Sequence, residues 1–367
     1  MRILFSCRPA YGHLFPLLPL ANAAKAAGHD VVFGTGEAFV GKVRDLGFEA
    51  HRVGMAIGDA EAEAKRRHGE DAGFLDVGIT MFAELLPQAT IDDLTPLLPE
   101  LRPDLVIYEQ SDVGAGAVAQ RAGIPAVSLV IGRSMPPQIL AAAAERLAPI
   151  WGELPADAML GNACVDVWPD SLRDPGTAGV PKVFRMRPTP FDLDVPLPPL
   201  ERPLVYLTLG TVVYGATDVL RGAIRALAKL PVNVLVAVGP GDPALLGELP
   251  ERVRVAGFVP QGKVLRHADL VVHHGGTGTV HGALAAGLPQ LILPQGADQF
   301  ANAETLSALG AAKALVGDAI RIDAIEAAAR ELLDEPAARD IARGVAAEIA
   351  GMPAPEQVLD ELVSWAG

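Results

Sequence analysis

Short apolar runs alternate with helix-forming stretches along the chain, and this alternation restricts the fold more than any other feature of the sequence. The helix-forming stretches of the first half include residues 16–27 and 113–122. The apolar runs comprise residues 3–7, 30–34, 105–108, 126–130, 204–209, 232–238, 254–256, 270–272 and 291–293. Strands that alternate with helices predict parallel sheets wound by crossover helices. The sequence therefore predicts the α/β fold class.

A proline-rich segment divides the alternation into two sets. Six prolines occur from Pro188 to Pro203, and such a density of proline makes a stiff, extended connector. With 367 residues, half of them hydrophobic, the chain can form two domains with separate cores. We predict an N-terminal domain at 1–185, a linker at 186–203 and a C-terminal domain at 204–367. The pattern leaves open whether the last helical stretch, 355–366, packs back on the N-terminal domain.

Charge and cysteine content exclude several functional classes. A formal net charge of −14 and a pI near 5.0 argue against nucleic acid, which needs a basic face. Cys7 and Cys164 lack metal-binding spacing, and we expect buried thiols in a reducing cytoplasm. The first residues are typical of a strand and a turn rather than a signal peptide, and no apolar run reaches membrane-spanning length. We therefore expect a cytoplasmic protein without a membrane span.

Residues 269–303 combine adjacent histidines with a glycine-rich turn. An apolar run ends at His273 and His274, residues 275–278 form the turn, and helix-forming residues follow. A glycine-rich turn that opens a helix exposes unpaired backbone N–H groups and the positive end of the helix dipole. The segment therefore predicts an anion site, most often one for phosphate.

Candidate acid–base residues follow two strands of the first half. His13 lies in the loop after the first strand, at the edge where open parallel sheets bind ligands, and it could be a general base. The alternative is a helix-capping or merely exposed histidine. Glu109 and Asp112 follow the strand at 105–108, and either could orient the imidazole and stabilise its charged form. Alternatively, these carboxylates cap the helix that begins near Val113.

Two further turns in the second half could contact a nucleotide. Gly210 and Thr211 end the first strand there and offer N–H groups and a hydroxyl to a phosphate, although many strands end in this way. Phe258 precedes a Pro-Gln turn and could stack on a flat base. A hydrophobic staple with an ordinary turn explains the same residues equally well.

The string HHGGTGT…GLPQ…P…DQFANA resembles the donor-binding signature of family 1 glycosyltransferases, the inverting enzymes of GT-B fold. The turn at 12–16, the strand at 103–106 and the tail at 348–362 resemble the branch of that family found in bacterial natural-product and antibiotic biosynthesis. This resemblance covers nearly the whole chain. It implies two Rossmann-like parallel-sheet domains that face each other across a cleft.

The resemblance also implies roles for individual residues. His13 matches the base that activates the acceptor, with Glu109 as the nearer match for its carboxylate partner and Asp112 as the second. His273 is expected to be structural. His274 and the turn hold the diphosphate, Asp298 and Gln299 contact the sugar, and an aromatic turn binds the base. The implied donor-binding residues are Thr211, Phe258, Val259, His274, Gly276, Thr277, Gly278, Thr279, Asp298 and Gln299.

One departure from the family bears on the nucleotide. Plant relatives carry a glutamate on the helix after the glycine turn, and it binds both ribose hydroxyls; here the region reads Val280-His281-Gly282. Without that carboxylate the site suits a deoxyribose. We therefore expect a donor linked to thymidine diphosphate (TDP) rather than UDP-glucose.

The implied reaction moves a deoxysugar to a hydroxyl of an apolar aglycone. The nucleotide sugar is a substrate, and we expect neither a cofactor nor a metal; the string Asp192-Leu193-Asp194 is the weak alternative for a metal site. The apolar stretches 79–89 and 134–151 could line an acceptor pocket or form ordinary core helices. The partners expected are thus a nucleotide sugar and a small apolar acceptor, with a homodimer left open.

Other functions of the same or a related fold are less consistent with the sequence. A UDP-glucose-dependent detoxifying enzyme is the main alternative, and a nucleotide-sugar 2-epimerase would need more acid–base groups. A dinucleotide-dependent oxidoreductase needs G-x-G-x-x-G after its first strand, where this chain reads RPAYGHLFP. A non-catalytic auxiliary protein fits poorly with two intact half-sites.

Overall fold

Two parallel β-sheets organise the chain in a computed structural model that describes residues 1–69, 71–210 and 217–367. The chain divides into two units. The first comprises Met1–Trp168, Asp174–Arg187 and Pro353–Gly367, and the second comprises Pro169–Arg173 and Pro188–Met352. Each unit has its own sheet with helices between successive strands. This architecture confirms the predicted α/β class with two parallel-sheet domains.

The sheet of the first unit has the strand order β3-β2-β1-β4-β5-β6-β7 in the described residues. Its strands are β1 (Arg2–Cys7), β2 (Asp30–Thr35), β3 (Glu49–Arg52), β4 (Leu105–Glu109), β5 (Ala126–Leu129), β6 (Ala163–Asp166) and β7 (Lys182–Arg185). The central strands are buried along nearly their whole length because helices cover both faces.

The helices of the first unit are α1 (Tyr11–Leu14), α2 (Leu18–Ala26), α3 (Glu37–Asp45), α4 (Ile57–His68), α5 (Phe74–Thr80), α6 (Leu86–Leu101), α7 (Val113–Arg121) and α8 (Pro137–Trp151). A π-helical turn, Met81–Leu85, joins α5 to α6. The core of this unit lies where α6, α7 and α8 pack on the strands, around Leu94, Val106 and Trp151.

The sheet of the second unit has the strand order β10-β9-β8-β11-β12-β13. Its strands are β8 (Leu204–Thr208), β9 (Asn233–Ala237), β10 (Val253–Ala256), β11 (Leu270–His273), β12 (Gln290–Ile292) and β13 (Ala312–Ala314). Its helices are α9 (Thr217–Leu227), α10 (Gln261–Leu265), α11 (Thr277–Ala285), α12 (Gln299–Leu309), α13 (Ile322–Asp334) and α14 (Ala337–Gly351). One core cluster joins α9 and α13 to the strands, around Val205, Leu227 and Leu332.

The last helix, α15 (Pro355–Ala366), belongs to the first unit, where it packs against α2 and β7. Its apolar face is buried, with Val358, Leu359 and Leu362 at most 1% exposed. Within the predicted linker at 186–203, the chain passes from the first unit to the second between Arg187 and Pro188. No helix among the described residues is long and apolar enough to cross a membrane.

Each sheet contains one point where the direction of winding reverses. β1 lies between β2 and β4, and β8 lies between β9 and β11. Open parallel sheets bind ligands at such a switch point, outside the carboxyl ends of the two strands. The loops after β1 and β4, and those after β8 and β11, are therefore the places where each unit can hold a small molecule.

Candidate functional site

His13 and Glu109 meet at the switch point of the first unit. His13 lies on α1, the short helix that follows β1, and Glu109 is the last residue of β4. The His13 Nδ1 atom is 2.9 Å from Glu109 Oε1. The carboxylate is completely buried, whereas the imidazole is 21% exposed. The imidazole is thus held at Nδ1 by a buried acceptor and keeps part of its surface exposed.

The surroundings of Glu109 keep its carboxyl group ionised. Burial alone raises the pKa of this carboxyl, but the charge and hydrogen bond of His13, the Arg8 charge and the Ser111 backbone N–H outweigh burial and lower the pKa to about 2. An ionised carboxylate can only accept hydrogen bonds. When the imidazole of His13 is neutral, its proton therefore lies on Nδ1, and Nε2 has a free lone pair that can accept a proton.

Asp112, the second candidate partner of His13, is occupied elsewhere. Its carboxylate accepts from Ser6 Oγ at 2.6 Å and from Thr90 Oγ1 at 2.9 Å, and it forms a buried ion pair with Arg8 at 3.1 Å. Asp112 occupies the N-cap position of α7 but makes no side-chain capping hydrogen bond. The structure thus separates the two carboxylates, with Glu109 next to the imidazole and Asp112 in an internal ion pair.

Two residues beside the pair were missed by the sequence analysis. Ser111 donates its hydroxyl and its backbone N–H to Glu109, and Arg8 donates its backbone N–H to the same carboxylate. Ser111 had no distinctive sequence signal, because its contact with Glu109 depends on the turn after β4. The buried position of Arg8 had none either, because arginine is rarely buried.

In the second unit, His273 is part of the sheet. Its ring is completely buried; Nδ1 accepts from the Gly275 backbone N–H at 3.0 Å, and Nε2 lies 2.8 Å from Gln290 Oε1. Burial lowers the pKa of His273 to about 3, with a further lowering from His274 and an opposing hydrogen bond from Gln290. His273 is therefore a neutral residue that ties the glycine turn to β12.

His274 is held differently, between two glycines. A Cβ atom on Gly276 would lie 2.5 Å from His274 Nε2, and one on Gly210 would lie 2.7 Å from the same ring. Gly210 also has a φ of +81°, which side chains rarely adopt. Burial lowers the pKa of His274 to about 4, against a smaller effect of the Thr208 backbone.

The glycine turn opens α11, whose first residues are Thr277, Gly278 and Thr279, with Gly276 as the N-cap. Gly276 has no side chain that could cap this end, and the Thr279 N–H donates to the Gly276 carbonyl at 3.0 Å. The helix dipole and the N–H groups that precede Thr279 in the first turn are therefore available to an anion. The structure brings His274 to the same turn, since a Cβ atom added to Gly276 would lie 2.5 Å from its Nε2.

Asp298 and Gln299, at the start of α12, are connected to this turn. Thr277 Oγ1 donates to Asp298 Oδ2 at 2.8 Å, and the buried Asn302 amide donates to Thr277 Oγ1, to Asp298 Oδ2 and to the Gly275 carbonyl. Gln299 Oε1 accepts two backbone N–H groups of the preceding loop. Asn302 is a further residue that the sequence analysis missed, and it joins the two parts of the motif.

The predicted base-binding turn lies between β10 and α10. Phe258 is half-buried, whereas the Val259 side chain is in the core with Val264 and Leu265, so only the backbone of Val259 could face a ligand. Gly282 on α11 packs against Leu265, which a Cβ atom would approach to 2.8 Å. Thr211, the last predicted phosphate ligand, lies outside the described residues.

The remaining predicted segments have structural roles. Asp192 Oδ1 accepts from the Gly262 backbone N–H at 2.6 Å, so this carboxylate holds the start of α10. In the stretches 79–89 and 134–151, the buried core residues include Met81, Leu86, Leu147 and Ile150. Other apolar side chains there are half-buried, and Met135 is 37% exposed. Each stretch thus contributes residues to the core.

Comparison with known proteins places the whole chain among related sequences. Profiles of the family described as erythromycin biosynthesis protein CIII-like match residues 22–192 with its N-terminal domain and residues 221–365 with its C-terminal domain. The L-demethylnoviosyl transferase of Streptomyces niveus is 34% identical over 377 residues, which covers 99% of this chain and 98% of the relative. The elloramycin glycosyltransferase of Streptomyces olivaceus is 32% identical, with 99% and 97% covered.

A solved structure also matches the chain over its whole length. The glycosyltransferase VinC, determined in complex with DTDP, superposes with a TM-score of 0.82 at 25% identity and covers 100% of this chain and 99% of that one. The match therefore extends across both units.

Proposed function

The chain belongs to the erythromycin biosynthesis protein CIII-like family and is a glycosyltransferase, and we propose that it moves a deoxysugar from a TDP donor to a hydroxyl of an apolar natural-product aglycone. The observation that carries this proposal is the imidazole of His13, held on Nδ1 by the buried carboxylate of Glu109. Such a pair is what removal of a proton from a hydroxyl requires.

The proposed reaction is a single displacement. The acceptor oxygen attacks the anomeric carbon, its proton passes to His13 Nε2, and the bond from that carbon to the diphosphate oxygen breaks with its electron pair on the departing nucleotide. Glu109 stabilises the imidazolium formed on His13. One displacement inverts the configuration at the anomeric carbon. The transition state has oxocarbenium character, as in other glycosyl transfers.

The glycine turn and His274 are the proposed site of the departing diphosphate. N–H groups at the start of α11 can donate to the diphosphate. The helix dipole stabilises the negative charge that develops on the departing diphosphate. With a pKa lowered to about 4, His274 is neutral at pH 7, so its contribution is one hydrogen bond rather than a full charge. Asp298 and Gln299 are the proposed ligands of the sugar hydroxyls, and Asn302 fixes Asp298 against the turn.

The choice of TDP rests on Gly282. Gly282 itself carries no carboxylate for a ribose 2′-hydroxyl, and a Cβ atom added at this position would lie 2.8 Å from Leu265. A deoxyribose lacks the 2′-hydroxyl, so it loses no hydrogen bond when the carboxylate is missing. The DTDP bound to VinC supports the same choice.

Side-by-side calorimetric titration with TDP, UDP and NAD tests the proposal. We expect TDP to bind at least as tightly as UDP, and NAD not to bind. A strong preference for UDP would favour a detoxifying enzyme that uses UDP-glucose. Selective binding of NAD would overturn the assignment altogether.

A further inference from the structure

Ser111 is the one side chain of the turn after β4 that faces the imidazole–carboxylate pair. Its hydroxyl lies 2.8 Å from Glu109 Oε1, 2.9 Å from Glu109 Oε2 and 3.3 Å from His13 Nδ1. Its backbone N–H donates to Glu109 Oε2 at 2.7 Å. We propose that Ser111 is a positioning residue of the transfer reaction, an inference that rests on the proposed role of His13 as the base.

The direction of the Ser111 hydroxyl follows from the charge of its neighbour. Because the Glu109 carboxylate is ionised, it accepts only, and the hydroxyl hydrogen must point to it. The lone pairs of Ser111 Oγ are then free to receive the Nδ1–H of His13 as a second, longer contact. When His13 takes up the acceptor's proton, its Nδ1–H becomes more positive, and both oxygens that surround it can stabilise the charge.

The other side chains of this turn are bound elsewhere, so that among them only the Ser111 side chain contacts His13 and Glu109. Arg8, which is only 2% exposed, donates to the Ser111 carbonyl at 3.0 Å and is itself held by Asp112. Gln110 Oε1 accepts the backbone N–H groups of residues 131 and 132. A buried cation thus anchors the backbone of Ser111 while its neighbours in the turn bind other groups.

Two isosteric variants test whether the hydroxyl matters. Ser111→Thr keeps the hydroxyl and adds a methyl group, whereas Ser111→Val has the shape of the threonine variant with a methyl group in place of the hydroxyl. For an alcohol acceptor we expect kcat of Ser111→Val to fall roughly 10- to 100-fold, the range for a hydrogen bond to a charged group, and Ser111→Thr to stay within about threefold of wild type. The KM for the nucleotide sugar should not change in either. Equal rates in the two variants would overturn the proposal.

Ser128→Ala is the matched control for the loss of a buried hydroxyl. Ser128 lies on β5, the neighbouring strand, and donates to the Leu160 carbonyl without contacting Glu109. We expect it to lose thermal stability but to keep the wild-type kcat. A fall in kcat equal to that of Ser111→Val would mean that any buried hydroxyl of this sheet has the same effect, and the proposal would fail.

A double-mutant cycle separates this inference from the proposed function. If Ser111 acts through His13, Ser111→Val should have almost no further effect on kcat in a His13→Ala protein. An undiminished effect would show that Ser111 acts otherwise and would reject the inference alone. If His13→Ala itself retained normal turnover, the proposed base would be wrong, and the role of Ser111 would be rejected with it.

Discussion

At the scale of single residues, His13 differs from the other histidine–carboxylate contact of the first unit in burial. His51 Nε2 lies 2.7 Å from Glu49 Oε1, but that carboxylate is 45% exposed, on the edge strand β3. Solvent screens such a pair, and it contributes little. The Glu109 carboxylate is shielded from water, so it can fix the tautomer of His13 and stabilise its charged form.

We expect His13→Ala to reduce transfer to an alcohol acceptor by about 10²–10⁴-fold, the usual contribution of a positioned base. A phenol, which is acidic near pH 10, should lose less because it needs less help in losing its proton. TDP affinity should not change, since the donor residues belong to the second unit. His51→Ala is the matched control and should retain full activity. A folded His13→Ala protein with normal turnover of the alcohol would disprove the base assignment.

The low pKa of Glu109 predicts a specific dependence of stability on pH. The carboxyl has a pKa of about 2 in the folded protein and 4.5 ordinarily, so the folded state favours the ionised form. This contribution, on the order of 3 kcal/mol at most, is complete above pH 4.5 and is lost as the pH falls from 4.5 toward 2. We therefore expect the stability difference between wild type and Glu109→Gln to shrink over that range. Urea unfolding at pH 7, 4.5 and 3 measures it; a difference that grows on acidification would contradict the assignment.

Substitution of the adjacent histidines of the second unit should affect different properties, TDP binding for His274 and stability of the fold for His273. His274→Ala should weaken TDP binding by roughly 1.5–3 kcal/mol, the cost of a hydrogen bond to a charged group, with little loss of stability. His273→Ala leaves the Gly275 N–H and the Gln290 oxygen without a partner, and it should destabilise the fold by about 1–3 kcal/mol or more. Calorimetry with TDP and thermal unfolding distinguish the two effects. Unchanged TDP affinity in His274→Ala would rule out the phosphate contact.

At the scale of secondary-structure elements, the start of α11 depends on the fit between a glycine and a ring. Gly276→Ala would place a methyl group 2.5 Å from His274 Nε2, which forces the imidazole to move. We expect TDP affinity to fall about tenfold or more while the fold is retained. Gly222→Ala, on α9 of the same unit, meets no atom of the described residues within 4 Å and should leave affinity unchanged. Equal affinities in the two variants would mean that the position of His274 does not matter.

The strands that the sequence predicted are mostly the central ones. β1, β4, β8 and β11 are buried on both faces and therefore read as continuous apolar runs. The edge strands β3, β7 and β13 and the inner strand β6 were missed, whereas the edge strand β10 was predicted as residues 254–256. The missed strands are three or four residues long and carry charged or small residues such as Glu49, Lys182 and Lys313, so no long apolar run marks them.

The same reasoning explains which site residues could be predicted. His13, Glu109 and His274 follow central strands, and their place in the sheet brings them to the switch points. The partners that hold them were not predictable in the same way. Arg8 pairs with Asp112 across 104 positions, and Asn302 meets Gly275 across 27, and only the folded chain brings such residues together. The local sequence pattern thus predicted the site side chains, whereas the residues that hold them in place are defined only by tertiary structure.

At the scale of the whole molecule, the chain does not divide at a single boundary. α15 closes the first unit although it follows the second in sequence, and residues 169–173 belong to the second although they interrupt the first. The proline-rich segment, predicted as a separate linker, is attached to the second unit through the hydrogen bond from the Gly262 N–H to Asp192. Composition marks where the chain crosses between units, but it does not show which unit each crossing segment packs against.

The net charge of the protein is −14, so its overall field does not attract an anionic diphosphate. Local groups must therefore bind the diphosphate. The proposed local groups are the start of α11 and the neutral His274, and Asp192, the weak candidate for a metal ligand, already binds the Gly262 N–H. We therefore expect transfer to continue unchanged in excess EDTA. Asp192→Asn, which cannot accept as strongly from Gly262, should lower stability by about 1 kcal/mol and leave chelator sensitivity unaltered. Activity that disappears with EDTA and returns with a divalent ion would show that an ion, rather than the helix dipole, neutralises the departing diphosphate.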